Sequence, residues 1–239
     1  MNNNEIDFEH QTVRLIGITG GIDEQGVPCV TAQDIISYCA RVSNPKNQEN
    51  FNTSGKLLKY LINNDHWSPF EMVSLTLEIV TTRDIGRQIL RHRSFSFQEF
   101  SQRYAEKGER FPTDEYREAR LQDLKNRQNS IATDNDMLAA NWLAEQIKVE
   151  NAALNAYNWA IKAGIAKEVA RAVLPEGLTM SRMYMAGTLR SWIHFIDVRQ
   201  GNGTQKETID IALKCKKIIL AEFDFLKDYW SSPETADTK

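Results

Sequence analysis

The sequence predicts a single domain of mixed α/β class in which helices outnumber strands. Three stretches have the composition and alternation of strands, at residues 12–19, 72–79 and 178–185. Between and after them, apolar residues recur at three- and four-residue steps, which is the period of an amphipathic helix. The 239 residues are 41% hydrophobic and contain no internal repeat, so we expect one domain over residues 1–232 and a flexible tail over 233–239.

The first strand leads through a turn into two helices. Glycines follow residues 12–19, and because no Gly-Lys-Ser/Thr ending comes after them, a tight turn is favoured over a phosphate-binding loop. We expect Thr31 to cap a helix that runs to about Val42, because its hydroxyl can accept from the free N–H groups of a first turn. Ser54 is predicted to cap the second helix in the same way.

A third helix follows the strand at residues 72–79. We expect it to begin at Thr82 or Asp84 and to turn Ile85 and Ile89 towards the core. Residues three and four apart share a helix face, so this spacing also brings three polar side chains out near one another, those of Gln88, Arg91 and His92.

Residues 91–104 are too polar for a core strand and too aromatic for an ordinary surface loop. In an extended chain Phe95 and Phe97 share a side with the later polar residues of odd number, which a dry core does not tolerate. We therefore predict a bend near Gln98. Beyond it an acceptor, a hydroxyl and a cation would project towards one spot and bind a polar ligand; these belong to Glu99, Ser101 and Arg103.

The second half of the chain is mostly helical. Residues 108–128 are highly charged, and we expect a connection with some helix and no site there. A long helix is predicted from Asp134 to Gly164, with an apolar stripe that packs either within one subunit or against a second. The strand at 178–185 leads to a helix, a glycine-containing loop at 199–205 and a last helix from Lys206 to about Trp230.

Composition and motifs argue against several functions. A formal net charge of −3 disfavours a protein that coats nucleic acid. Three cysteines without a CxxC pair, a first segment unlike a signal peptide and the lack of a membrane-length apolar run lead us to expect a cytoplasmic protein with no membrane partner. The histidines lack metal-binding spacing, so no metal is expected. Neither Ser101 nor Cys29 has the setting of an activated nucleophile.

Four arginines have two interpretations that the residues alone leave open. Guanidinium forks suit phosphates and planar anions, since they are permanently charged and donate two parallel hydrogen bonds. The same side chains can instead form solvated ion pairs with Glu99, Glu106 and Glu109. The arginines concerned are Arg91, Arg93, Arg103 and Arg199.

The order of residues 91–104 resembles the signature Arg-His-Arg-x2-Ser-x-Asn-Glu-x-Ser-x-Arg-Tyr of the flavin-dependent thymidylate synthases. Only the asparagine differs, and Gln98 stands in its place. Further matches cover nearly the whole chain: Ala40-Arg41-Val42-Ser43, His66-Trp67-Ser68-Pro69-Phe70-Glu71, Arg171-Ala172-Val173-Leu174-Pro175, and Arg199 with Thr204-Gln205-Lys206-Glu207.

This resemblance implies an α/β (α+β-like) subunit with a central, mostly antiparallel sheet flanked by helices, one of them long. It implies a homotetramer with active sites shared between subunits. The implied reaction makes dTMP from dUMP, with methylenetetrahydrofolate as one-carbon donor and NADPH as the source of reducing equivalents through bound FAD. No enzyme nucleophile attacks the uracil in this family, in agreement with the lack of an activated serine or cysteine.

The resemblance also implies ligand contacts, residue by residue. Arg199 matches the activating arginine, whose role is to stabilise negative charge on the uracil as N3 loses its proton. The other residues implied to contact dUMP are Gln88, Arg91, Glu99, Ser101, Gln102, Arg103 and Arg171. Those implied to hold FAD are Ser43, His66, Ser68, Glu71, Arg91, His92, Arg93, Ser94, Glu99, Thr188, Arg190 and His194.

The chain departs from the family pattern at several of these positions. Thr188 and His194 stand where many relatives carry asparagine, and Gly203 where many carry histidine, while Gln102 replaces a common glycine.

Two alternative functions would use different residues of the chain. A single-stranded nucleic-acid module would stack bases on the interleaved Arg and Phe residues, and a cysteine-dependent thymidylate synthase would use Cys29.

Overall fold

The computed structural model describes residues 11–21, 31–104, 115–201 and 203–231. An antiparallel four-stranded sheet forms its centre, and its strands are β1 (Thr12–Ile18), β2 (Ser74–Thr82), β3 (Ser96–Glu99) and β6 (Met180–Thr188), in the spatial order β1-β2-β6-β3. A separate hairpin pairs β4 (Arg120–Gln122) with β5 (Ser130–Ala132). The predicted mixed α/β class and antiparallel sheet are confirmed.

Eight α-helices surround the sheet in the described part of the chain. They are α1 (Ala32–Ala40), α2 (Ser54–Asn63), α3 (Arg83–Ile89), α4 (Asp136–Lys162), α5 (Lys167–Ala170), α6 (Leu189–Arg199), α7 (Lys206–Glu222) and α8 (Leu226–Ser231). Short 3₁₀ turns lie at Pro45–Asn47, Phe51–Thr53, Ser68–Glu71 and Arg171–Val173. No described helix combines the length and apolarity that crossing a membrane requires.

The core lies on one face of the sheet, where alternation along the strands places the apolar side chains. Leu75, Leu77 and Ile79 of β2 are fully or almost fully buried, and Met183 and Met185 of β6 lie on the same face. Helices α6 and α7 pack on this face and on each other, and their aromatic and aliphatic side chains complete the cluster. The alternation predicted for residues 72–79 is therefore confirmed.

Of the two predicted helix caps, the one at Thr31 is confirmed and the one at Ser54 is wrong. Thr31 forms a full capping box, since it accepts from the Asp34 backbone N–H while the Asp34 carboxylate accepts from the Thr31 backbone N–H. Ser54 does not cap α2, because it is already the first helical residue. Its hydroxyl lies 2.7 Å from the Ser37 hydroxyl and joins α2 to α1 instead.

The bend predicted near Gln98 is wrong. Strand β3 continues through Gln98, which pairs with Tyr184, to Glu99, which pairs with Met183. A bend is unnecessary because Glu99 lies at the end of the sheet, where the Ser181 hydroxyl donates to its carboxylate at 3.0 Å and Arg83 lies 3.4 Å away. The chain turns only after Ser101.

Two predicted connections also need correction. Residues 115–128 contain no helix and include strand β4, while residues 108–114 of the predicted connection lie outside the described residues. The last predicted helix is divided, because the backbone leaves helical geometry at Phe223 and places this ring and Leu226 in the core. Helix α8 then follows as a separate element. The predicted tail at 233–239 lies outside the described residues.

Helix α4 buries only part of its apolar stripe within the chain. Its carboxyl-terminal half packs Tyr157 and Ala160 against Ala170 and Leu174, and Gly164 ends it in the left-handed region at φ 81°. The amino-terminal half leaves large side chains exposed, among them Leu138, Trp142, Leu143 and Ile147. The sequence allowed this stripe to pack within one subunit or against a second. Within the described chain, only the carboxyl-terminal half of the stripe is packed.

Candidate functional site

Residues 91–104 run from the end of α3, along the sheet edge as β3, to the turn that follows Ser101. Phe95 is buried, with its ring centroid 4.8 Å from that of Trp192, and Phe97 is half-buried against the core. Because these rings face inwards, they are not available to stack nucleic-acid bases, and the nucleic-acid alternative finds no support. The polar residues of the stretch lie near two separate cavities.

The first cavity lies at the amino terminus of α6 and is called the α6 cavity. Its volume is about 660 Å³, and its lining combines charged, hydroxyl and aromatic side chains: Asp65, Trp67, Glu71, Ser94, Thr188, Arg190, Ser191, Ile193, His194, Asp197 and Tyr229. Five residues from the predicted flavin set are thus brought together, namely Glu71, Ser94, Thr188, Arg190 and His194.

The walls of the α6 cavity are fixed by capping and ion pairing. Thr188 caps α6 by accepting from the Ser191 backbone N–H at 3.3 Å. Arg190 forms an ion pair with Glu71, which joins the helix to the 3₁₀ turn at Ser68–Glu71. The cavity therefore has the Arg190 cation and the positive end of the α6 dipole at one end, a combination that suits an anionic group.

Aromatic residues and carboxylates form the remaining wall of the α6 cavity. Tyr229 donates to Asp197 at 2.9 Å, and its ring meets that of Trp67 edge-on at 6.1 Å. Burial, the largest cause, and the neighbouring Asp197 raise the pKa of Tyr229, so the phenol stays protonated and donates. Sequence reasoning missed these residues. The spacing of the sequence could have predicted Asp197, because Arg190, His194 and Asp197 recur at four- and three-residue steps and so share one face of a helix.

Other residues of the predicted flavin set lie outside this lining. Ser43 is exposed in the turn after α1, His66 is exposed just before the 3₁₀ turn that carries Glu71, and Ser68 is the exposed first residue of that turn. Arg91 and Arg93 are exposed on the segment between α3 and β3. The chain by itself does not bring them into the α6 cavity.

Arg199 and His92 meet directly. Arg199 is the last residue of α6 rather than part of the following loop, and its Nε donates to His92 Nε2 at 2.8 Å. The His92 ring packs edge-on against Phe195 with centroids 4.9 Å apart. Burial, followed by the charges of Arg199 and His194, lowers the pKa of His92 to about 4. His92 is therefore neutral at pH 7 and presents a lone pair to the guanidinium.

The second cavity, called the Arg171 cavity, has a volume of about 540 Å³. It is lined by Arg83, Arg87, Gln102, Glu168, Arg171, Ala172, Leu174 and Glu176, so it contains two residues predicted to bind the nucleotide, Gln102 and Arg171. Two further members adjoin this lining, since Arg103 Nε is 3.5 Å from Glu168 and Glu99 is 3.4 Å from Arg83, whereas Gln88, Arg91 and Arg199 are not part of it. Ser101 is half-buried, and its hydroxyl accepts from the Arg103 backbone N–H.

Two arginines of α3 that were not predicted give the Arg171 cavity most of its donors. Arg87 forms a fork with Glu176, and this hydrogen bond lowers the pKa of the Glu176 carboxyl. Arg83 Nη1 is buried and lies 3.4 Å from the Glu99 carboxylate, an ion pair without hydrogen-bond geometry among the described residues. A buried guanidinium donor that is not fully satisfied beside a cavity is suited to an anionic ligand. The four-residue spacing of Arg83 and Arg87, just before Gln88, was the available sequence signal.

The described residues offer little for metal or thiol chemistry. They contain no group of three or more His, Cys, Asp or Glu side chains arranged to hold a metal ion. Cys215 is completely buried, which raises the pKa of its thiol and leaves it unfit as a nucleophile. Cys29, which the cysteine-dependent alternative requires, lies outside the described residues.

Comparison with known proteins gives concordant results at the levels of sequence and fold. The sequence model of the family described as thymidylate synthase complementing protein matches residues 29–223. A probable flavin-dependent thymidylate synthase of Paramecium bursaria Chlorella virus 1 is 50% identical over 212 residues, covering 89% of this chain and 95% of the relative. The flavin-dependent thymidylate synthase of Synechocystis sp. is 50% identical over 213 residues, with 88% and 95% covered.

A solved structure matches the fold over almost the entire chain. It is the UMP/dUMP methylase PolB from Streptomyces cacaoi, crystallised with 5-Br dUMP, with a TM-score of 0.77 and 95% of this chain and 97% of that chain covered. At 23% identity this match concerns the fold alone. The family model, in contrast, spans most of the chain, and two relatives share half of their aligned residues with it. The chain therefore belongs to the family of thymidylate synthase complementing proteins, the flavin-dependent thymidylate synthases.

Proposed function

We propose that this protein converts dUMP to dTMP, using methylenetetrahydrofolate as the one-carbon donor and NADPH as the reductant of bound FAD. Family membership carries the proposal, since two relatives named flavin-dependent thymidylate synthase align over 95% of their own length at 50% identity. The structure adds support of a separate kind. Two polar cavities adjoin the motif at residues 91–104, one lined by Ser94 and the other by Gln102, so the motif contributes to two candidate ligand sites.

The α6 cavity is the proposed contact surface for FAD. Its volume of about 660 Å³ is within the usual range for cofactor pockets, about 300–1,000 Å³. Arg190 and the amino terminus of α6 offer donors for the diphosphate, while Trp67 and Tyr229 offer ring faces and edges to a planar group. When bound, the flavin carries reducing equivalents from NADPH, and this chain's side chains bind and orient it. The exposed residues of the flavin set would complete the site from another subunit.

The Arg171 cavity is the proposed site for the dUMP phosphate. Arg171, Arg87 and Arg83 supply guanidinium donors, and buried Gln102 adds an amide. These groups hold and orient the nucleotide. Arg199 has the catalytic role: its guanidinium stabilises the charge that develops on the uracil when N3 loses a proton, which makes C5 more nucleophilic.

Shared active sites require self-association, and we propose a homotetramer. The amino-terminal half of α4 exposes four large apolar side chains in a row, those of Leu138, Trp142, Leu143 and Ile147. Monomeric proteins rarely leave so continuous an apolar stripe in water. A second copy of the chain is the proposed partner of this face. Size-exclusion chromatography with light scattering tests the assembly, and a monomer at micromolar concentration contradicts it.

An absorption spectrum and a proton-release assay test the function. The purified protein is expected to show bound flavin and to release tritium from C5-labelled dUMP when folate and NADPH are present. Arg199→Ala should abolish release while the unfolding temperature is kept, whereas Arg14→Ala, which removes an arginine that lines neither cavity, should remain active. A colourless protein that does not bind FAD contradicts the proposal. Oligonucleotide binding with a steep salt dependence and no need for dUMP would support the nucleic-acid alternative.

A further inference from the structure

A chain of side-chain hydrogen bonds joins α3 to the first turn of α7 and ends on a buried carboxylate. Gln88 Nε2 donates to Gln205 Oε1 at 2.7 Å, and Gln205 Nε2 donates to Glu207 Oε2 at 2.9 Å. From the other side, the Thr208 hydroxyl donates to Gln88 Oε1 at 3.0 Å. We call these residues the Gln88 relay. Glu207 is 6% exposed and Thr208 is fully buried, so neither is placed to touch a ligand itself.

The Glu207 carboxylate determines which groups donate and which accept along the Gln88 relay. Burial alone would raise the pKa of Glu207, but its backbone N–H, Arg120 and Arg117 outweigh burial and lower this pKa, so the group is ionised. Arg120 Nη2 lies 2.7 Å from Glu207 Oε1, and both side chains are largely buried. An ionised carboxylate only accepts hydrogen bonds. Gln205 must therefore turn its NH₂ towards Glu207 and its oxygen towards Gln88.

The same logic fixes the amide of Gln88. Its NH₂ must face the oxygen of Gln205, and its own oxygen is already bonded to Thr208. One Nε2–H remains, and it meets no acceptor within the part of the chain that the structure describes. Without the Gln88 relay, rotation of the amide by 180° would exchange this donor for an acceptor at little cost.

We propose that Glu207, Gln205 and Thr208 are positioning residues that fix Gln88 as a hydrogen-bond donor to the nucleotide. This inference rests on the proposed function, because it takes dUMP as the ligand and Gln88 as one of its contacts. Its chemical consequence is that the atom recognised by Gln88 is an oxygen acceptor of the nucleotide. A group that donates at the same place meets a second donor and is rejected.

Matched variants at position 208 test the inference by equilibrium dUMP binding to the FAD-loaded protein. Thr208→Val keeps the shape but removes the hydroxyl that holds Gln88 Oε1, so the amide loses one of its two fixed contacts and is less well oriented; Thr208→Ser restores the hydroxyl. We expect Thr208→Val to weaken dUMP binding about tenfold, as the loss of one oriented hydrogen bond does, and Thr208→Ser to stay within about twofold of wild type. Equal weakening by both variants overturns the inference.

A double variant separates positioning from general damage to the fold. If Thr208 acts through Gln88, then Thr208→Val should change dUMP affinity no further in a Gln88→Leu background. If Thr208 has only a structural role, Thr208→Val should weaken dUMP binding in the Gln88→Leu background as well, and this result contradicts the proposal.

A charge variant tests the anchor of the Gln88 relay. Glu207→Gln should weaken dUMP binding, because an amide no longer dictates the orientation of Gln205. Glu118→Gln is the control, since Glu118 pairs with Arg120 and Lys206 but not with the relay, and its affinity should match wild type. Equal losses in both variants assign the effect to the ion cluster and contradict the inference. If the wild-type protein itself fails to bind dUMP, the proposed function fails first and the inference with it.

Discussion

The contact between His92 and Arg199 makes a strong prediction about catalysis. His92→Leu removes the acceptor of the Arg199 Nε–H while keeping an apolar side chain against Phe195. A hydrogen bond to a charged group contributes about 1.5–3 kcal/mol, which corresponds to about 10- to 150-fold in rate if it is lost where the charge matters. Because the pair is only half-buried, we expect the lower end, about a tenfold loss.

His92→Gln is the matched control, because an amide oxygen can accept where the imidazole nitrogen did. The assay is tritium release from C5-labelled dUMP per bound FAD, with FAD content taken from the absorption spectrum. We expect His92→Gln to recover most of the activity that His92→Leu loses, at equal FAD content. Equal rates in the two variants would show that Arg199 does not depend on this acceptor. A loss of FAD that accounts for the whole effect would assign His92 to cofactor binding alone.

Three further predictions concern stability and cofactor binding. Gly187→Ala should lower the free energy of unfolding by about 1–3 kcal/mol, because the new Cβ would lie 2.4 Å from the buried Phe95 ring. Gly86→Ala is the control, since its Cβ would meet only the flexible end of the Met183 side chain, and it should leave the free energy of unfolding nearly unchanged. Urea titration measures both variants. The pKa of His92 is about 4 in the folded protein against an ordinary 6.5, so the unfolded chain takes up this proton at higher pH. The free energy of unfolding should therefore fall as the pH drops from 6.5 towards 4. In His92→Gln, which has no such group, the fall measured by urea titration at each pH should be smaller. Arg190→Gln should reduce the FAD retained on purification with little change in the apoprotein's unfolding temperature, since its pair with Glu71 is solvent-exposed.

The local features of the fold were predictable because short-range periodicity determines them. The β2 alternation and the inward face of α3 followed from residue spacing alone, and so did the cap at Thr31. The errors arose where distant partners decide. A bend near Gln98 was predicted because the carboxylate of Glu99 beyond it needs polar partners, and those partners, Arg83 and Ser181, are contributed by α3 and β6.

The candidate site divides in the same way. The resemblance identified five lining residues of the α6 cavity but only two of the Arg171 cavity, Gln102 and Arg171. Trp67 and Tyr229, which form the aromatic wall of the α6 cavity, come from segments far apart in sequence and carry no shared pattern. The Gln88 relay depends likewise on a contact across 117 residues. Such pairs exist only after the sheet has brought α3, α6 and α7 together.

The charges of this chain bear on which groups give the site its selectivity. Several arginines near the two cavities already have carboxylate partners: Arg190 pairs with Glu71, Arg87 with Glu176, and Arg103 with Glu168. An anionic ligand therefore exchanges one partner for another, and these exposed pairs contribute little net free energy when they rearrange. Neutral groups with a fixed direction do not have this compensation, because a wrongly oriented ligand atom leaves a donor unpaired. The amide of Gln88 is such a group, so we expect orientation, more than charge, to determine which nucleotide the site accepts.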